Sequence, residues 1–334
     1  MLPTIPVVTG TTRDLLSQGL PAAHALLAEA ERRYTSRGVR LADRISRDWL
    51  ERSGNPYLAE LDGLASVLGK PGLYMLNLSY EWGCTTGIDA GGARLLRTLD
   101  WPFDGLGRHV AVLKTRGPAG AYWSVSWPGF AGVMTAVAPG RFAVAINQAK
   151  NWHGRFTRVM EWPVSRLAML RSTAVPPAHL LRRACEETRD YATAVELLAT
   201  VPVCLPVFFS VAGARPGEGC VIERWPDSAH IHSAHIHGGA LAVTNHWRFP
   251  GLRGKAAPLT VRLDRLTRYS RGSLARHDAM LERLDGGDDF AWLAPPILCR
   301  DTRLACVGEA RRGHLAVVGI ERMARATEIV TVSA

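Results

Sequence analysis

The hydrophobic pattern of this chain changes period at one place, and that change limits what the chain can fold into more than any other feature. From about residue 12 to residue 80 apolar residues recur every three or four positions, as in Leu15, Leu16, Leu20, Ala23, Leu26, Leu27 and Ala30. This is the spacing of amphipathic helices. A second helix is expected over Val39 to Leu50. A third starts near Pro56, carries Leu58, Leu61, Leu64, Ala65 and Leu68, and stops at Gly69, and Leu73 to Tyr80 reads as a short fourth. Next comes YEWGCTTG, Tyr80 to Gly87, and after its cysteine the period falls to two.

Five successive strands are expected over Arg94 to Leu99, His109 to Thr115, Ala121 to Ser126, Gly132 to Ala138 and Phe142 to Asn147. Glycine and proline turns separate them, which reads as an antiparallel meander. Helices follow near Val164 to Leu170, Pro177 to Thr188 and Tyr191 to Leu198. A second strand set covers Val207 to Ala212, Gly219 to Arg224, Ala229 to Ile236 and Ala240 to Thr244. A helix from about Leu259 to Leu284 and strands at Leu304 to Gly308, His314 to Ile320 and Thr327 to Val332 complete the chain. Runs of strands alternating with runs of helices predict an α+β fold, two antiparallel sheets packed on each other with helices outside. No repeat or low-complexity linker divides the core, so residues 84–334 read as one domain with a helical segment, 1–83, docked on it.

Composition excludes several classes. The chain has 334 residues and is 47% hydrophobic, enough for a large core, and its net charge is +10. The basic residues are mostly arginines scattered through helices, without a basic tract interleaved with aromatics, so no nucleic-acid binding is expected. The start, MLPTIPVVTG, has neither the charged region nor the apolar run of a secretion signal, and no stretch approaches a bilayer span. A soluble cytoplasmic protein without stable membrane insertion is the expectation. The six cysteines include no C-x-x-C pair, which argues for reduced residues and against a disulfide framework.

Cys84 taken alone reads as a small buried hydrophobe. The residues around it change that reading. Arg97 and Asp100 close the first hairpin in RTLD, Asn147 ends a strand in AINQ, and Asn245 ends another in VTNHW. Asn and Asp are depleted in strands, so those that terminate apolar strands often face a cleft. Residues three apart on a regular strand face opposite sides, so Arg97 and Asp100 would share a site only through a bulge or a turn.

With these stretches the chain resembles the N-terminal-nucleophile hydrolases, in the branch of acid ceramidase, N-acylethanolamine acid amidase, penicillin acyltransferases and choloylglycine hydrolases. Tyr57 to Gly87 is similar to that family's precursor-to-nucleophile junction, RTLD to its R-N-x-D with Thr98 in place of Asn, and AVAINQ and VTNHW to its two asparagine segments. The likeness covers most of the chain from Tyr57 onward. It implies an αββα sandwich made as one inactive chain and cut before Cys84, leaving fragments 1–83 and 84–334 associated. The freed α-amine, with a pKa of about 8, would take the thiol proton, so one residue supplies nucleophile and base. Arg97 would stabilise the thiolate and Asp100 would hold the amine. Asn245 and Asn147 would donate side-chain N–H groups to the oxyanion, each worth about 3 kcal/mol of barrier. A distal arginine is expected in LDRLTRYSR, Arg268 before Arg265.

The activity implied is hydrolysis of a linear N-acyl amide through a thioester on Cys84, with a lipid-like or aromatic acyl group among the chain's many aromatics. Acyl transfer to an amine and a non-catalytic binding role are the alternatives. No cofactor is implied. Acyl length, the amine and homo-oligomerisation are left open. In AHIHSAHIHGG, His230 with His232 and His235 with His237 could cross a hairpin as zinc ligands, but no carboxylate or cysteine sits among them, so no metal is expected. Asn147 also has a plain reading as a turn residue.

Overall fold

A computed structural model describes residues 1–80, 82–91, 93–149, 167, 169–249 and 268–334, with backbone alone for 236, 237 and 268–271. Glu81, Trp152, Arg265, most of the helix expected near Val164 to Leu170 and the start of that expected from Leu259 lie outside the described residues.

The first 80 residues fold as the period predicts, into α1 (Thr12–Gln18), α2 (Leu20–Tyr34), α3 (Ser36–Arg52), α4 (Leu58–Leu68) and α5 (Leu73–Asn77). Thr11 and Asp14 form a reciprocal capping box at the start of α1, satisfying backbone N–H groups that have no helical partner. Gly69 stops α4 in a left-handed conformation, φ 68°, that a side chain would oppose. This segment is not wholly helical. Its β1 (Val7–Thr9) pairs in parallel with β4 (Ala111–Gly117), a strand of three residues that is too short for any period to reveal.

The remaining strands build two sheets. One has the order β1-β4-β5-β6-β7-β8-β9-β10, with β5 (Gly120–Ser126), β6 (Thr135–Ala138), β7 (Phe142–Gln148), β8 (Val207–Gly213), β9 (Gly219–Trp225) and β10 (Ser228–Ser233). The other runs β11-β2-β3-β12-β13-β14. Its members are β2 (Gly83–Asp89), β3 (Arg94–Asp100), β11 (Ala240–Val243), β12 (Thr302–Glu309), β13 (His314–Glu321) and β14 (Ala324–Arg325), with β15 (Val330–Val332) on β13. The sheets stack face to face, β2 and β3 against β7 and β8. On one outer face lie α6 (Pro177–Glu187) and α7 (Tyr191–Thr200), and on the other lies α8 (Arg268–Leu281). The architecture is αββα.

Two expectations need correction. The strands from Arg94 to Asn147 are not one meander, because β3 pairs with β2 and β12 in the second sheet and the chain then crosses to the first for β4 to β7. Buried Trp101, Phe103 and Leu106 fill that crossover. Likewise β11 leaves the second strand set and pairs with β2. Alternation identifies a strand and its buried face but carries no information about its partner.

The crossover depends on a close approach. A Cβ on Gly319 of β13 would lie 1.9 Å from the Gly107 carbonyl oxygen, and one on Gly107 would lie 2.0 Å from that of Ile320. Both obstacles are backbone, which cannot swing aside. Gly319→Ala should therefore cost about 2–3 kcal/mol, seen as a lower urea midpoint with an unchanged slope; an unchanged midpoint would show that the backbones are not held together there.

Candidate active site

Cys84 lies near the start of β2, the strand between β3 and β11. In the β2–β3 ladder Cys84 pairs with Leu99 and Thr86 with Arg97. Directly opposed residues share a face, so the sulfur and the Arg97 side chain both enter the layer between the sheets. Each is fully buried. Arg97 Nη2 donates to Cys84 Sγ at 3.3 Å, and Nη1 donates to the Ile146 carbonyl at 2.6 Å and to Asn147 Oδ1 at 3.1 Å.

Asp100 lies on the opposite face, as the three-residue spacing requires, at the end of β3 beside Gly83. Its Oδ1 accepts from the Thr302 hydroxyl at 2.9 Å. Its Oδ2 has no hydrogen-bond donor among the described residues and lies 3.7 Å from Arg276 Nη1. Arg97 and Asp100 thus serve one residue from two sides, the first at the sulfur and the second near the peptide nitrogen, and no bulge in β3 is needed.

Both asparagines arrive at the cluster, and they are bonded differently. Asn245 Oδ1 accepts from the Cys84 backbone N–H at 3.1 Å and from Arg276 Nη2 at 2.8 Å, while its Nδ2 donates to the Gln148 carbonyl at 2.9 Å. Its oxygen holds the nitrogen of Cys84, and one N–H remains. Asn147 has none left. Its Nδ2 donates to the Val243 and Thr244 carbonyls, both at 3.1 Å, and its Oδ1 accepts from Thr86 Oγ1 at 2.7 Å and from Arg97. Asn147 cannot serve an oxyanion in this arrangement because both its protons are committed. It ties β7 of one sheet to the end of β11 in the other.

Among the described residues, the arginine that reaches this cluster from beyond the VTNHW stretch is Arg276. Arg268 opens α8, eight residues earlier and so about 12 Å away along the axis, and its side chain lies outside the described residues. Sequence spacing gave no means of choosing among the arginines of this helix. The choice rests on β11 joining β2, which brings α8 over the Cys84 strand. Thr302 and Ser273 were likewise missed. Ser273 Oγ accepts from the Asn245 N–H at 3.2 Å and lies 2.8 Å from Thr244 Oγ1 and 2.9 Å from His246 Nδ1. His246 is occupied in this cluster, and burial with neighbouring His277 pushes its pKa down to about 4.

Burial dominates the titration of the site. It pushes the Cys84 thiol up to about 11, with Arg97 and Arg276 opposing and Asp100 assisting. It also raises Asp100, against Arg276, Thr302 and Arg97. With the chain unbroken the sulfur is a protonated, enclosed thiol.

The histidine hairpin does not form as expected. Ala234–His237 is a 3₁₀ turn, so only His230 and His232 share a strand. His230 stacks on Phe249 at 3.6 Å, and no metal-binding group occurs among the described residues. The aromatics do gather. Trp82, Trp101, Phe103, Trp127 and Phe130 form a chain of ring contacts with centroids 4.5–6.1 Å apart. Trp101, Phe103 and Phe130 also line a narrow apolar cleft with about 20 Å³ of free space, whose other wall is Leu26, Leu27 and Leu73 of the N-terminal helices. No helix among the described residues is long and apolar enough to cross a membrane.

An αββα sandwich with a cysteine at the head of an inner strand, and arginine, aspartate and asparagine around it, has the N-terminal-nucleophile hydrolase type of fold. Known proteins share parts of this sequence. The chain is 28% identical over 179 residues to the N-acylethanolamine-hydrolyzing acid amidase of Cavia porcellus, covering 51% of this chain and 48% of that protein. It is 26% identical over 239 residues to acid ceramidase of Heterocephalus glaber, covering 64% and 59%. The chain thus spans about half the length of the curated relatives it matches. Among solved structures, the Caenorhabditis elegans ortholog of the first enzyme covers 68% of this chain and 93% of its own, with a TM-score of 0.47 and 17% identity. No family model matches.

Thiol chemistry tests the enclosure. Of the six cysteines five are buried and Cys299 is half-buried. In the uncleaved protein at pH 8 a disulfide-exchange reagent should label Cys299 and leave the other five until the chain is unfolded, as read by peptide mass mapping. Rapid labelling of Cys84 in the folded, uncleaved chain would contradict the enclosure.

Proposed function

We propose that this chain is the precursor of a cysteine amidohydrolase that activates itself by cleaving the Gly83–Cys84 bond. The observation that carries the reading is the convergence of polar groups on two atoms of one residue: Arg97 on the sulfur of Cys84, and Asn245, backed by Arg276, on its nitrogen. A structural thiol needs neither. In the first step Sγ attacks the Gly83 carbonyl carbon, the C–N bond breaks, and the nitrogen leaves as the α-amine of Cys84. Water then hydrolyses the Gly83 thioester.

In turnover the α-amine takes the thiol proton and the thiolate attacks the substrate's amide carbonyl. The leaving amine takes that proton, and water releases the acid from the thioester. Arg97 holds the sulfur as thiolate. Asn245 Oδ1, with Asp100 beside Gly83, is placed to accept from the ammonium, and the remaining Asn245 N–H is the candidate oxyanion donor. The substrate class is a linear N-acyl amide with a lipid-like or aromatic acyl group, for which the aromatic-lined cleft at the edge of the N-terminal helices offers an apolar wall. The names of the sequence relatives point the same way.

Fragments 1–83 and 84–334 stay together in this reading. Support comes from β1 in the sheet of the larger fragment and from Arg182 of α6, which donates to Glu60 of α4 at 2.8 Å and to Glu186 at 2.7 Å. Tyr57 also donates to Glu186, and Trp49 Nε1 to the Ser172 carbonyl, each at 2.8 Å.

Purified wild-type protein should resolve by intact mass into two co-eluting fragments, the larger beginning at Cys84, and should hydrolyse N-acyl amides. Cys84→Ala should remain one chain of 36.4 kDa without turnover, and Arg97→Leu should lose at least about a hundredfold in kcat/KM, the scale of a lost electrostatic stabiliser. Turnover by Cys84→Ala at the wild-type rate would overturn the reading.

A further inference from the structure

The one irregularity in the β3–β12 ladder lies beside Asp100. Thr302 pairs with Asp100 and Leu304 with Leu99, so β12 advances two residues where β3 advances one. The extra residue, Arg303, is a bulge. In an unbroken register Arg303 would oppose Asp100 and the Thr302 side chain would turn to the other face. The bulge is firmly held: Arg303 Nη2 donates to Asp104 at 2.8 Å, Nη1 to Glu321 at 3.2 Å and to the Arg300 carbonyl at 3.3 Å. It costs a ladder position and puts one hydroxyl opposite one carboxylate.

The direction of the Thr302 hydrogen bond is fixed by its neighbours. Thr302 Oγ1 accepts from the Cys299 N–H at 3.0 Å. Its single proton has two acceptors within reach, Asp100 Oδ1 at 2.9 Å and Cys299 Sγ at 3.5 Å. The shorter contact to a carboxylate is much the stronger. The turn that carries the hydroxyl is held by the Thr302 N–H on the Cys299 carbonyl at 3.0 Å and by the Trp101 N–H on the Asp301 carbonyl at 2.7 Å.

Resting on the function proposed above, we propose that Thr302 is a positioning residue: through the Arg303 bulge it fixes Asp100 Oδ1 and keeps the carboxylate ionised, leaving Oδ2 for the amine freed at Cys84. The groups facing Asp100 are Arg276 from α8 and Asp301 and Cys299 from the turn before β12, while Arg97 and the Cys84 thiol act on it from the other face of the sheet. Burial opposes the charged carboxylate. The two arginines and the Thr302 hydroxyl favour it, and Asp301 opposes it. Deleting the hydroxyl without changing shape removes one favourable contact and raises the pH needed to ionise Asp100.

Thr302→Val is that deletion. The acidic limb of its kcat/KM–pH profile should move up by about one pH unit, the scale of a hydrogen bond to a charged group. KM for the N-acyl amide well above the limb should stay within about twofold, because Thr302 does not line the aromatic cleft. Thr302→Ser should return the limb to the wild-type position. If Thr302→Val does not accumulate as folded protein by near-ultraviolet circular dichroism, Thr302→Cys, with a weaker donor of similar size, should place the limb between those of Ser and wild type on one side and a full unit's shift on the other. An active, folded variant with the wild-type limb, or one that loses the same factor at every pH, overturns the role of Thr302 while the amidase reading stands. A wild-type chain that neither cleaves nor turns over overturns the amidase reading itself.

Discussion

A guanidinium with no exposed surface lies between the two sheets, and the site is arranged around keeping it there. Taking a charge out of water is expensive unless partners replace the lost hydration. Arg97 finds the Ile146 carbonyl, Asn147 Oδ1 and the sulfur of Cys84. The first two belong to β7 of the facing sheet, so the guanidinium's hydrogen bonds also crosslink the sandwich. Asn147 can present its oxygen to Arg97 because its two protons go to the Val243 and Thr244 carbonyls. Those bonds fix the end of β11 one residue before Asn245. The residues at the sulfur and at the nitrogen are therefore set by one continuous polar network, and disturbing Asn147 would reach both.

That network holds Cys84 as an unreactive thiol. A thiol raised to about 11 is ionised to roughly one part in 10⁴ at pH 7, so the arginine alone does not make Cys84 reactive. Enclosure outweighs the charge. An amine released two bonds from the sulfur's own carbon would change the balance by supplying a base where the unbroken chain has a peptide N–H, which cannot accept a proton. In the proposed enzyme the backbone nitrogen is thus the switch, and the surrounding side chains hold both of its states: Asn245 Oδ1 accepts equally from an amide N–H and from an ammonium.

Local order was legible in the sequence and partnership was not. The 3.6-residue period placed α2, α3 and α4, each with a buried face, and short apolar runs between turns placed β3, β5 and β7, which are buried on both faces for most of their length. The start of β2 stood out because glycine and threonines around a cysteine break a helical run. Neither period says that β3 and β4 belong to different sheets, nor that β11 returns to β2, because both depend on contacts far apart in the chain. Every site residue missed follows from that. Arg276 resembles any other helix arginine until α8 is laid over β2. Thr302 resembles any strand-starting threonine until a bulge across the ladder turns it toward Asp100.

The residue that admits α8 was visible all along in the quoted stretch. Gly87 faces α8 from the middle of β2, between Leu96 on β3 and Ala242 on β11. A Cβ there would come within 2.4 Å of Leu284 and 2.7 Å of Met280, so the side chains of α8 and of the residues just after it pack directly onto the bare backbone of the strand. Closeness matters because Arg276 lies one turn before Met280 and must reach two targets with one planar group, Asn245 Oδ1 at 2.8 Å and Asp100 Oδ2 at 3.7 Å. Ser273, a turn earlier again, reaches the Asn245 backbone from the same side of the helix. Residues at this spacing lie on one helix face, so α8 presents serine, arginine and methionine in a row to the strand that carries Cys84. A bulky side chain at residue 87 would press on Met280 and Leu284 and so on the turn of helix that gives Asp100 its counter-ion, while the ladder around Cys84 stayed intact.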